Sequence, residues 1–214
     1  MLKHLGKIWF VNKRYFYAAG LLLLAGVLLG YVQADLVDAT AKQMLATIEG
    51  IAEKIKESGG SIAVTFWTIF FNNVTSALLM MILGLFFALF PIFGVFTNGI
   101  LLGYIMQKLT MAGTNPLLVF TVGILPHGII ELPTVIFAAG VGIRYGALVI
   151  RSISGAWRED IRGELKQEWV MSIKQLPATV VGIVVLLVIA AFIESTITPY
   201  LIKATIGGQT QLIG

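Results

Sequence analysis

The chain contains no cysteine, so it can build no disulfide framework, iron–sulfur cluster or thiolate zinc site. It is also poor in charge. Asp, Glu, Lys and Arg make up 12% of its 214 residues, about half the share of a soluble domain, while 57% are hydrophobic. That balance excludes a soluble globular protein, a disordered chain and a nucleic-acid-binding module. Histidine is nearly absent, with two in the whole chain, which leaves little for general acid–base chemistry. There is no Walker A loop, dinucleotide fingerprint, His-Glu-x-x-His pair or Gly-x-Ser-x-Gly elbow. An intramembrane protease would need a paired Asp or a Ser–His arrangement, and neither is found. The sequence carries no internal repeat, so an inverted-repeat transporter gains no support from symmetry. The apolar runs do not alternate with polar residues, which argues against a membrane β-barrel.

What is present is a series of long apolar stretches. Crossing the hydrocarbon core takes about 20 apolar residues on a helix. Residues 15–34 form one such run, preceded by Lys3, Lys7, Lys13 and Arg14, and it reads as a retained helix rather than a signal peptide. Residues 58–107 hold no formal charge. Pro91 divides this block into crossings over 65–90 and 93–109, with 62–72 crossing, re-entering or lying at the interface. Residues 117–143 and 177–197 supply two more. The expected fold is therefore all-α: a polytopic transmembrane bundle of five crossings, with a sixth re-entrant helix as the variant reading, in a single membrane domain.

Charge placement sets the expected orientation. Lys and Arg dominate the N-terminal segment and the segment 144–174, which also mixes in Glu159, Asp160, Glu164 and Glu168. Both should be cytoplasmic, with 144–176 as a solvated interfacial segment. Acids outnumber lysines in 35–60, which should lie outside. The N-terminus is then cytoplasmic and the C-terminus extracytoplasmic. Within the outer segment, Val37, Ala41, Met44, Leu45, Ile48, Ile51, Ala52 and Ile55 recur at helical spacing, so 36–57 should be an amphipathic helix ending at Gly59-Gly60. It either lies on the protein's own surface or the membrane, or docks an extracytoplasmic partner. The last residues, 207–214, should fray.

Ionisable groups inside apolar helices are costly and point to function. His127 and Glu131 are four residues apart, so one helical face presents an imidazole and a carboxylate together. Pro126 and Pro133 bracket them, and Gly128 offers a place for another backbone to approach. A bent helix is tolerated at depth only when buried in protein or facing a wet cavity. Asn72, Asn73 and Asn98 are further candidates for this inner polar site, able to bond across helices or hold a histidine tautomer. Three readings stay open: a buried packing pair, a divalent metal site such as zinc completed by further ligands, and a proton or ion relay in a transporter or channel. Glu194, near the end of the last run, reads as a snorkelling or interface-capping residue. His4 has no evident role.

Glycines four apart, at 26/30, 99/103 and 142/146, suit close helix packing, either within the chain or in a homodimer. Trp9, Phe10, Tyr15, Phe16, Tyr17, Trp67, Trp157, Trp169 and Tyr200 read as an aromatic belt.

At these residues the chain resembles the stage II sporulation protein M family of integral membrane proteins. The resemblance rests on Phe71-Asn72-Asn73, on Pro91 with Asn98-Gly99 and Gly103, and above all on Leu125-Pro126-His127-Gly128-Ile129-Ile130-Glu131-Leu132-Pro133 followed by Gly140 and Gly142. It implies a five- or six-helix membrane protein with no enzymatic activity of its own. It further implies a scaffold for two cell-wall hydrolases, an amidase and a lytic transglycosylase, in septal peptidoglycan thinning and engulfment. The family also occurs in organisms that do not sporulate. The partners to expect are thus the lipid bilayer, such hydrolases and a second copy of the chain, with no nucleic acid.

Overall fold

The computed structural model describes the backbone of residues 2–156 and 158–205, and the side chains of 12–156 and 158–205. The expectations for His4, Trp9, Phe10, Trp157 and the tail 207–214 lie outside the described side chains. Within that range the protein is all helix: α1 (Leu2–Val32), α2 (Ala34–Glu57), α3 (Ile62–Leu83), α4 (Leu89–Met111), the short α5 (Pro116–Val119), a π turn (Phe120–Ile124), α6 (Leu125–Ser154) and α7 (Glu159–Thr205). Five segments are long and apolar enough to cross a membrane: α1, α3, α4, α5 through α6, and α7. Residues 62–72 are the first half of α3, a continuous helix whose start is capped by Ser61 Oγ accepting from the Val64 amide at 3.3 Å. They form no separate re-entrant piece.

Two boundaries differ from expectation. The second crossing stops at Leu83 instead of continuing to 90, because residues 84–88 form a turn with Phe87 (φ 55°) and Ala88 (φ 63°) in the left-handed region. Such a conformation costs a non-glycine residue about 1–3 kcal/mol, so its surroundings must hold it. They do: α6 lays Gly146 directly on Ala88 and Gly84, and Gly142 on the Met80 carbonyl and Pro91. Any side chain at either glycine would collide with backbone. The second difference concerns 144–176. Instead of one interfacial segment, 144–154 extends α6 and 159–176 begins α7, with a reversal between them. At 47 residues, α7 is about 70 Å long, well over the roughly 30 Å of hydrocarbon, so its charged first turns project beyond the apolar layer.

The hairpin of α6 and α7 is tied by polar contacts in this projecting part. Arg144 is buried and donates to Gln175 Oε1 at 3.3 Å. Arg151 Nη1 donates to both oxygens of Glu168 at 2.8 Å. Trp169 Nε1 donates to Ser152 Oγ at 3.0 Å, so this tryptophan joins two helices and is half-buried.

The cores are built from small residues and a few large ones. Phe16, Ala77, Met81, Ala138, Val141, Ile183 and Leu187 bring α1, α3, α6 and α7 together. Ala19, Leu23, Met80, Val95 and Ala139 join α1, α3, α4 and α6. The most extensive helix pair is α1 with α4. Gly26 and Gly30 meet Gly99, Ile100 and Tyr104 backbone, while Gly99 and Gly103 meet the backbone of Leu23, Gly26 and Val27. All three glycine pairs therefore face this chain's own helices, and a second copy would find them covered. Leu21, Leu24 and Leu28 point outward, as lipid-facing residues should.

α2 folds back over one end of the bundle after a break at Gln33. Ala34, Val37 and Ala41 pack against Ile100 and Tyr104 of α4. Asp38 fixes it there, accepting from Tyr104 Oη at 2.6 Å and pairing with Lys42 Nζ at 2.7 Å and Lys108 Nζ at 3.8 Å. The Lys42 and Tyr104 hydrogen bonds hold the Asp38 carboxyl below its ordinary range.

Candidate metal centre

The π turn and the two prolines decide where α6 begins. Pro116 opens α5 after Asn115, whose Oδ1 accepts from the Leu117 and Leu118 amides at 3.0 and 3.3 Å. The chain then widens into the π turn at Phe120–Ile124, a form found often at functional sites. Pro126 occupies the first turn of α6, where its missing N–H costs nothing. From there His127 and Glu131 lie one above the other on the face turned toward α7 and α3. Gly128, expected to admit another backbone, is met only by side chains of Ile124 and Leu132 at ordinary separations.

These two residues open on a cavity of about 450 Å³ beneath α2. Its polar wall includes Asn72, Asn73 and Ser76 of α3 and Asn98 of α4. Its apolar wall includes Met44, Ile48 and Ile51 of α2, Ile69 of α3 and Leu101 of α4. All five residues singled out from the sequence, Asn72, Asn73, Asn98, His127 and Glu131, thus share one space. Their bonding differs from expectation. Asn72 Nδ2 donates to Asn73 Oδ1 at 3.2 Å, and Asn98 Nδ2 donates to the Gly94 carbonyl on its own helix at 2.8 Å. The imidazole is held instead by Thr198, with Nδ1 and Oγ1 3.4 Å apart.

Glu194 also lines the cavity, which corrects its reading as an interface cap. It shares a side of α7 with Thr198, four residues on, repeating the spacing of His127 and Glu131 on α6. Ligand atoms of His127, Glu131 and Glu194 all lie within 4.8 Å of one another. Spacing could have found this second pair: an acid and a hydroxyl at i and i+4 inside the last apolar run. The α2 contribution was legible only as an apolar stripe, with nothing to say that it faced a cavity.

One imidazole and two carboxylates form a donor set that suits zinc and other borderline divalent ions. Atoms sharing a zinc ion at about 2.1 Å stand roughly 3.4 Å apart, against the 4.8 Å within which these three lie. The donor chemistry of His127, Glu131 and Glu194 fits a divalent ion, and three such ligands would leave a coordination position open.

Five segments apolar and long enough to span, packed around a polar-walled cavity, define a polytopic helical membrane protein. The sequence profile described as "Stage II sporulation protein M" matches residues 19–199, and the chain belongs to that family. It is 26% identical over 151 residues to an uncharacterized protein of Methanocaldococcus jannaschii, covering 71% of this chain and 62% of that protein. It is 28% identical over 144 residues to a second uncharacterized protein of the same organism, covering 65% of this chain and 74% of that protein. The chain thus spans less than two thirds of the first relative's length. No solved structure matches it.

Proposed function

We propose that this chain is a non-enzymatic membrane protein that holds a divalent cation, zinc foremost, between its last two spans. The observation that carries this reading is the convergence of His127, Glu131 and Glu194 within 4.8 Å on a shared cavity. Carboxylates buried among apolar helices are expensive unless a cation or proton balances them. A cation held by both helices would tie α6 to α7 and fix the cavity's shape. Elemental analysis of the purified protein tests this. About one zinc per chain is expected in the parent, with loss in His127→Ala and Glu194→Gln. A metal-free parent sinks the reading. Zinc or proton flux in proteoliposomes, abolished by Glu131→Gln, would turn it into a transporter.

Family membership supports a second layer: a scaffold that anchors or regulates peptidoglycan hydrolases, an amidase and a lytic transglycosylase, in septal wall thinning and engulfment. In this reading α2 lies on the extracytoplasmic side, and the N-terminus is cytoplasmic. Its apolar face is taken up by α4 and the cavity, so the surface left for a partner is its outer one, with Glu49, Glu53 and Glu57 exposed. Reversing these three to lysine should abolish hydrolase co-purification while Glu131→Gln leaves it intact. Co-purification unaffected by the reversal removes α2 as the partner surface.

A further inference from the structure

The cavity is much larger than a cation needs. Its 450 Å³ leaves room well beyond a zinc ion that adds one or two further ligands to three from the protein. Its size falls within the usual range for small-molecule pockets, and its walls are divided into a polar and an aliphatic side.

Charge decides what kind of molecule fits. This argument rests on the cation reading above. Two ionised carboxylates balance a divalent ion, and a metal-bound imidazole is neutral. Among the described residues, no Lys or Arg lines the cavity. An anionic ligand would therefore add an unbalanced negative charge among spanning helices, and a cationic one would compete with the metal. The remaining class is neutral. The polar wall narrows it further. Beyond the bonds to Asn72 and to the Gly94 carbonyl, Asn73 keeps its Nδ2 donor and Asn98 its Oδ1 acceptor for other partners. Asn72 Oδ1 and the Ser76 hydroxyl line the same cavity, and a donor and an acceptor in one space with an open metal position suit an amide, which offers a carbonyl oxygen and an N–H together.

We propose that the cavity takes a neutral, amide-bearing small molecule. Its carbonyl oxygen occupies the open position on the cation, its amide groups pair with Asn73 and Asn98, and its carbon skeleton lies on Ile48, Ile51 and Ile69.

Cobalt-substituted protein gives the test, because the visible spectrum of the ion reports its open position. N-acetylalanine amide should shift the bands saturably. Acetate and inorganic phosphate at the same concentration should not. Asn73→Ala and Asn98→Ala should each weaken the amide response at least tenfold while binding cobalt as the parent does. Cobalt bound without an amide response, a stronger response to acetate or phosphate, or full amide affinity in both asparagine variants overturns this proposal alone. Failure of the parent to bind cobalt or zinc overturns the cation reading and this proposal together.

Discussion

Glu194 on α7 and Glu131 on α6 present their carboxylates to the same cavity, within 4.8 Å of each other and of His127. Two like charges at this separation inside a helical bundle repel unless a cation or a shared proton lies between them. Replacing Glu194 by Gln keeps the shape and removes a charge. Zinc affinity should fall at least tenfold, by competition with a chromogenic chelator, and the apo protein should unfold at a higher temperature than the apo parent.

Thr198 should set the orientation of the His127 imidazole. Its hydroxyl contacts His127 Nδ1, which leaves Nε2 for a metal. Partners that hold the second nitrogen of a ligating histidine typically contribute 10- to 100-fold in affinity. Thr198→Val should lose zinc affinity in that range, and Thr198→Ser should retain most of it. Equal affinity in Val and Ser variants would refute the role.

The docking of α2 should depend on acid. The Asp38 carboxyl is held below its ordinary value of 3.8 by Lys42 and Tyr104. A group whose folded value is lowered contributes stability that is present above the unfolded value and lost as pH falls through the folded one. Amide exchange in 34–45 should therefore be slow and pH-independent in its protection above about pH 5, with protection fading below about pH 4. Asp38→Asn should show the weakened protection at every pH.

The α1–α4 contact should not accept side chains. Gly26, Gly30, Gly99 and Gly103 each lie on the partner's backbone, which cannot move aside as a side-chain end can. Gly30→Val should destabilise by about 1–3 kcal/mol or more, read as a lower unfolding temperature in detergent. Gly50→Ala, where a Cβ meets nothing, should be tolerated.

Two of the polar ties of the α6–α7 hairpin should differ in worth. Arg151 and Glu168 are both partly exposed, so Arg151→Gln should change stability by under about 1 kcal/mol. Arg144 is 5% exposed and relies on Gln175. Gln175→Leu removes an acceptor from a buried guanidinium and should cost about 1–3 kcal/mol. Thermal unfolding of both variants distinguishes them.

Much of this protein was written locally. Spans follow from continuous apolar runs, and the amphipathic α2 and the meeting of His127 with Glu131 follow from spacings of three or four residues, which a helix's own geometry enforces. The family was legible for the same reason, since its marks sit in short windows. What lay beyond reach depends on which helix faces which. The glycine pairs fit an internal contact as well as a dimer until the backbones of α1 and α4 were seen to meet. The turn at 84–88 has no glycine where the left-handed residues fall, and only the close approach of α6 holds it. Glu194 looked like an interface residue because its value comes from a different helix: a carboxylate becomes part of a centre only when folding brings other ligands to it.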